Sequence, residues 1–291
     1  MQCRFNRRYR IKMKQRRLQL SADRRRRSMK KIMCFVLTVI CLLAVAGCGG
    51  GAKKAEAPAG QKAAAEKVLR VGTNANYPPF EYYQEASKTF IGFDIELMQG
   101  VAREAGYTRV EFVDMEFGKL LMSLKDGKVD AVISCLTMTE ERKKEVDFTQ
   151  PYLVSANVAV GSSDAAIRSE GALKGKRIAA EAGSIHVKQA GQYSGTVIEC
   201  GGAEEALKMI ADKKADFAIL DNYTARFYIT NFYKGRLSIV AELQDDTDTR
   251  TGIAVAKGNR ELADRLNTGL QKYREDAAYY QMKNNYFGKL L

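Results

Sequence analysis

The chain has 291 residues, with 47 Lys/Arg against 34 Asp/Glu and a formal charge of +13. The excess sits at one end: residues 1–47 carry 14 basic residues and a single acid, Asp23, which leaves 33 of each sign from Cys48 onward. A neutral remainder excludes a basic domain built to grip a phosphate backbone, so no nucleic-acid partner is expected.

The first elements are those of a leader. Lys30 and Lys31 precede an apolar run, 32–45, that closes in Val45-Ala46-Gly47-Cys48. A positive start, an apolar core and a small-residue cleavage site make a secretory signal over 29–47, too short for a membrane span. A Cys directly after Val-Ala-Gly resembles the bacterial lipobox, whose Cys is acylated and becomes the mature N-terminus. An ordinary signal with an incidental Cys is the alternative. Residues 48–67 are rich in Gly, Ala, Lys and Glu, which suits a flexible tether. The basic extension 1–28 is expected to lie upstream of a true start at Met29, with a long leader or a nucleic-acid-binding arm as the other readings. The expected location is the outer face of the cytoplasmic membrane, reached by export and held through a lipid on Cys48.

Cysteine usage adds little. Cys3, Cys34 and Cys41 precede Cys48, and only Cys135 and Cys200 follow it. There is no Cys-x-x-Cys, and His186 is the only histidine, so neither structural zinc nor another metal or cofactor is expected. A disulfide between Cys135 and Cys200 is conceivable, since both follow strand ends.

From residue 68 the pattern alternates. Strand-like runs at 68–73, 110–115 and 129–134 interleave with helical ones at 95–105 and 119–125. After Pro151 the alternation restarts: strands at 157–160, 176–180, 197–199 and 216–220, helices at 185–193 and 203–211. A run at 252–256 and helices at 260–273 and 277–286 follow. This predicts an α/β fold with mostly parallel sheets.

An internal echo divides it in two. Residues 121–134 align at a constant offset of 86 with residues 207–220, matching Leu121/Leu207, Asp126/Asp212, Lys128/Lys214, Asp130/Asp216 and Ile133/Ile219. Two similar lobes follow, unless the echo is a chance likeness of two amphipathic units. The same offset pairs Cys135 with Asp221, each just past the C-terminal end of its strand, where open α/β sheets bind ligands.

The segment 131–152, AVISCLTMTEERKKEVDFTQPY, carries the rest of the site. Thr139 is a candidate N-cap ahead of Glu140 and Glu141, and Arg142 follows in the first turn. A hydroxyl at Thr137, a helix start and a guanidinium suit a carboxylate ligand, although a capped surface helix with a solvated Arg has the same spacing. If the lobes face each other, Arg142 and Thr137 look across at Asp221. A cation opposite an anion suits a zwitterion such as a free α-amino acid.

Five runs in order then carry a resemblance: Val71-Gly72-Thr73-Asn74…Tyr77-Pro78-Pro79-Phe80-Glu81, Gly92-Phe93-Asp94-Ile95-Glu96-Leu97, Thr137-Met138-Thr139-Glu140-Glu141-Arg142, Asp147-Phe148…Pro151-Tyr152 and Gly252-Ile253-Ala254-Val255. From about 69 to 291 the chain resembles the extracellular amino-acid-binding proteins of bacterial ABC transporters (solute-binding protein family 3), of the glutamine-binding and lysine/arginine/ornithine-binding type. The resemblance implies a two-lobed, type II periplasmic-binding-protein-like fold, with two parallel-sheet lobes, a two-segment hinge and the ligand in the cleft. Lobe 1 would be 68–153 plus 252–291, lobe 2 157–247, with hinges near 152–156 and 248–251. It further implies that Arg142, Thr137 and the backbone of Ser184 and Ile185 take the ligand carboxylate. Asp221, the Cys135 carbonyl and Thr137 would take the ammonium. Asn74, Tyr77, Asp94, Phe117 and Glu181 would meet the side chain. The implied partners are an ABC permease and its ATPase, and the expected state is a monomer.

Two positions depart from the family. Cys135 stands where Gly or Ser is usual, and Asn74 replaces an Asp common in members that bind Arg or Lys. Glu181 pushes toward a cationic ligand. Asp94 does so too, although an Asp is so usual in Gly-Phe-Asp that a structural role is equally open. The favoured ligands are Arg, Lys, ornithine or His, with glutamine or cystine next. Two other classes stay open: an exported dehydratase of the arogenate or prephenate type, with Glu181 as general acid, and an amino-acid sensor that signals through another protein.

Overall fold

Two five-stranded sheets organise the chain, and the three strands on one side of each share one order. The computed structural model describes residues 66–165, 169–193, 195–244 and 249–290. The basic extension, the leader, Cys48, most of the tether and residues 245–248 lie outside the described residues.

The strands in chain order are β1 Val68–Thr73, β2 Asn76–Tyr77, β3 Glu81–Gln84, β4 Thr89–Ile91, β5 Arg109–Asp114, β6 Ala131–Val132, β7 Val146–Phe148, β8 Leu153–Val154, β9 Asn157–Ser162, β10 Arg177–Glu181, β11 Thr196–Cys200, β12 Phe217–Asp221, β13 Leu237–Glu242, β14 Arg250–Thr251 and β15 Ala254–Ala256. The helices are α1 Phe93–Glu104, α2 Leu120–Lys125, α3 Glu140–Glu145, α4 Ile185–Tyr193, α5 Ala203–Ala211, α6 Asn222–Asn231, α7 Arg260–Glu275 and α8 Ala277–Phe287.

The first sheet runs β5-β1-β6-β15-β7 and the second β11-β10-β12-β9-β13. In each, the fourth strand opposes the rest: β15 is antiparallel to β6 and β7, and β9 to β12 and β13. The sheets are mostly parallel, as expected, with one antiparallel strand in each. Each lobe's sheet is mixed, because β9 and β15 enter from the crossings rather than from a βαβ connection. The crossings pair with each other, β8 against β14, between the two sheets.

Central strands are buried on both faces, as their unbroken apolar runs require. In β12, Phe217 and Ile219 face one core with Ile178, while Ala218 and Leu220 face the other with Leu207. Two strands had no legible pattern. β7 spans three residues, and the alternation of β13 is broken by an irregularity between Ile239 and Ala241. Residues 117–119 form a short 3-10 turn leading into α2.

The sequence echo is structural. Arg70 ties β1 to Asp130 at 2.6 Å, and Arg177 ties β10 to Asp216 at 2.8 Å. Gly127 and Lys213, also 86 apart, both turn through positive φ, 68° and 59°. Two copies of one helix–turn–strand unit therefore end at Cys135 and Asp221.

Candidate functional site

Those two strand ends face a common cavity. Its walls include Asn74, Tyr77, Phe117, Cys135, Thr137, Arg142, Glu181, Ser184, Ile185 and Asp221. The structure thus brings together every expected site residue except two. Cys48 is outside the described residues, and Asp94 is fully buried and absent from the wall.

Arg142 reaches the cavity from α3. The helix begins as expected: the Thr139 hydroxyl accepts from the Arg142 N–H at 3.1 Å, and Glu140 and Glu141 occupy the positive first turn. Arg142 Nη1 donates to the Thr137 carbonyl at 3.0 Å and Nη2 to the Gly183 carbonyl at 3.2 Å. Its guanidinium lies 5.4 Å from the centre of the Phe117 ring.

Asp221 stands opposite, at the end of β12. Its Oδ1 caps α6, accepting from the Tyr223 N–H at 2.7 Å and more loosely from Thr224. Its own N–H donates to the Tyr77 hydroxyl at 3.1 Å, so β2, of the small three-stranded sheet β2-β3-β4, and β12 of the second large sheet meet there. Asn74 donates from Nδ2 to the Met115 carbonyl at 2.8 Å, while its Oδ1 is buried without a donor among the described residues. Glu181 ends β10, and its Oε1 is likewise buried and undonated. The Ser184 hydroxyl donates to the Glu181 carbonyl at 2.6 Å, shaping the turn into α4.

Asp94 lies one layer back. Its Oδ2 accepts from the Cys135 N–H at 2.7 Å and the Tyr152 hydroxyl at 2.6 Å. Its placement behind Cys135 rather than at the wall corrects the expectation that it meets the ligand side chain. Sequence reasoning missed Glu81, Ser134, Ser155, Asn157, His186, Thr249 and Thr251, all on the cavity wall. Glu81 falls within a run already singled out, but strand spacing does not give depth. Cys135 and Cys200 are both free thiols, so no disulfide ties the lobes. Among the described residues no group of three or more His, Cys, Asp or Glu is arranged for a metal ion.

The family model for bacterial extracellular solute-binding proteins, family 3, matches residues 69–289. The chain belongs to that family. It is 28% identical over 264 residues to the arginine-binding extracellular protein of Bacillus subtilis, covering 89% of this chain and 98% of the relative. It is equally 28% identical over 270 residues to an L-cystine-binding protein of the same organism, covering 90% and 98%. The solved structure of an ancestral arginine-binding protein bound to arginine superposes with a TM-score of 0.71 at 33% identity, covering 77% of this chain and 99% of that one. The fold is therefore the two-lobed, type II arrangement of these amino-acid-binding proteins of ABC transporters.

In this solute-binding protein the cavity is unevenly charged: Glu81, Glu181 and Asp221 line it against Arg142. Burial raises Glu181 to about 8 and Asp221 to about 6, with the Ser155 hydroxyl and the Tyr223 and Thr224 N–H groups opposing the rise at Asp221. Desolvation lowers Arg142 to about 10, which leaves it charged at neutral pH. An ammonium or guanidinium entering beside Glu181 would meet a carboxyl that ionises readily once paired.

Proposed function

We propose that the chain is the substrate-binding lipoprotein of an amino-acid ABC importer, exported and lipid-anchored through Cys48. It captures a polar or cationic L-amino acid as two lobes close, 68–153 with 252–291 against 157–247, about crossings at 152–156 and 248–251. The ligand carboxylate pairs with Arg142, Thr137 and the N–H groups of Ser184 and Ile185. The ammonium pairs with Asp221 and with the carbonyl side of Cys135 and Thr137, and the side chain runs between Tyr77 and Phe117 toward Asn74 and Glu181. Closure is favoured by what the ligand gains from touching both lobes at once.

One observation carries the choice of a cationic ligand: Glu181 is buried at the wall with Oε1 undonated. Once a zwitterion has matched Arg142 and Asp221, that oxygen and Asn74 Oδ1 still lack donors. A guanidinium or ammonium head supplies them. Arg, Lys, ornithine and His come first, glutamine and cystine next. The raised Glu181 also fits a general acid for elimination, the second reading, which arogenate turnover would reveal.

The test is thermal unfolding of residues 52–291 against the twenty amino acids, ornithine and cystine. Ligand at 100 times its Kd stabilises by about 2.7 kcal/mol. A shift confined to cationic amino acids supports the reading. A shift with glutamine or cystine alone removes Glu181 from it, and none at all overturns it and turns attention to arogenate and prephenate.

A further inference from the structure

Two buried acids need explaining together, Glu81 at the cavity wall and Asp94 one layer behind it. Glu81, 1% exposed, opens β3, and Asp94, 0% exposed, sits in the first turn of α1. That turn can start where it does because Gly92 adopts φ 139°, and a Cβ there would lie 2.0 Å from the Phe80 carbonyl oxygen. Glu81 Oε1 accepts from the Ser134 hydroxyl at 2.8 Å, and Asp94 Oδ2 from the Cys135 N–H and the Tyr152 hydroxyl. The two carboxyls also lie close enough for each to act on the other's ionisation. Their remaining oxygens, Glu81 Oε2 and Asp94 Oδ1, are buried and receive no N–H or O–H from the described residues. Two ionised carboxylates offer each other only lone pairs, so the contact is attractive only with a proton in it.

We infer that Glu81 and Asp94 share a single proton at neutral pH and act together as a positioning pair for the Ser134–Cys135 wall of the cavity. Glu81 holds the proton. It accepts one hydrogen bond, whereas Asp94 accepts two and lies in the positive first turn of a helix, both of which favour the anion. The surroundings agree: burial foremost, then the neighbouring Asp94 charge, pushes Glu81 well above the carboxylate range, while burial carries Asp94 only to about 6. The other titratable groups facing the pair are Tyr152 and Cys135, which share Asp94, and Glu181 and Asp221 from the second sheet.

The pair has something to hold. Cys135 adopts φ 44°, a left-handed conformation costly for a residue with a Cβ, and Asp94 grips its N–H. Tyr152, held by the same oxygen, donates its N–H to the Thr251 carbonyl at 2.9 Å. One carboxylate thus fastens the ligand-facing turn to both crossing segments. This purpose rests on the proposed ligand cavity, but its test needs no ligand.

The test is a double-mutant cycle on residues 52–291, read by thermal midpoint at pH 7. In Glu81→Gln the amide can donate to Asp94 while its oxygen accepts from Ser134. In Asp94→Asn the amide can donate to an ionised Glu81 while its oxygen keeps Cys135 and Tyr152. Either single variant preserves one donor between the pair and stays near the wild-type midpoint. The double variant sets two NH2 groups face to face and loses more than the sum of the singles. Additive losses overturn the inference. The companion measurement, independent of mutant folding, is infrared spectroscopy at pH 8 in the Glu181→Gln background. A protonated-carboxyl stretch is expected there, vanishing in Glu81→Gln, and its absence overturns the shared proton.

Discussion

Arg142 bonds to Gly183 across the cleft: its Nη2 donates to that carbonyl at 3.2 Å while Nη1 holds the Thr137 carbonyl of its own lobe. The contact engages two of five guanidinium donors and aims the planar fork into the cavity. Removing a buried partner of a charged hydrogen-bonded pair costs about 2–5 kcal/mol. Arg142→Met is therefore expected to raise the Kd for the cognate amino acid from roughly 30-fold to several thousand-fold. Arg142→Lys should fall between, keeping charge without the fork. Titration calorimetry checks both, and wild-type affinity in Arg142→Met would remove Arg142 from the carboxylate site.

Glu181 gives a proton-linked prediction. Its folded value, about 8, lies above the ordinary carboxyl range because burial disfavours the charge. With the folded value raised, the native state binds the extra proton between the unfolded value and about 8. The stability Glu181 contributes is thus present below the unfolded value and lost as pH rises through about 8. The ligand-free midpoint should fall over that window, and Glu181→Gln should flatten the fall. A cationic side chain paired with Glu181 reverses the preference, so its binding at pH 7 should release a proton. Calorimetry in buffers of different ionisation enthalpy measures that release, which Glu181→Gln should abolish.

Gly183 predicts a block to closure. It adopts φ 77°, and a Cβ would lie 2.9 Å from the Gly118 Cα of the other lobe. Gly118 Cα, and its N at 3.4 Å, are backbone atoms that cannot rotate away. Overpacking of this kind costs about 1–3 kcal/mol, and here it falls on the closed form. Gly183→Ala should weaken binding roughly 5- to 150-fold, beyond the fall in ligand-free midpoint that about 1–2 kcal/mol of left-handed strain at this position itself brings. Small-angle scattering should show compaction on ligand addition in the wild type and less in the variant. Equal compaction in both would place the constraint elsewhere.

The sequence carried the site further than the sheets. Cys135 and Asp221 were found because a helix–turn–strand unit occurs twice, and its equivalence extends to the Arg70–Asp130 and Arg177–Asp216 ties. Arg142 was legible because helix capping is local: Thr139 and the acids after it specify the first turn. Non-local features were hidden. The antiparallel fourth strand of each sheet depends on which crossing delivers it, and no strand records its partner's direction in its own residues. Glu81 and Asp94 were hidden in another way, since both lie in runs singled out for resemblance. What makes them a pair is depth and mutual contact, which residue spacing along a strand or a helix does not encode.

Cys135 yields the last prediction. The residue lines the cavity, and burial, then the acids Asp221, Asp94, Glu81 and Glu181, push its thiol well above the usual range. Cys200 is also raised, by burial, and its Sγ lies against the Ala180 and Gly202 carbonyls at 3.4 Å each. Only the thiolate reacts quickly, so a high value and a covered site both slow attack. In residues 52–291, both free thiols are expected to react slowly with a disulfide reagent at pH 7 and promptly in guanidinium. In a Cys200→Ala background the remaining rate belongs to Cys135 and should fall further with saturating ligand, because the occupant lies against that thiol. A rate that the ligand leaves unchanged would place Cys135 off the occupied part of the cavity. It would also indicate that its left-handed backbone, not its side chain, is what the site uses.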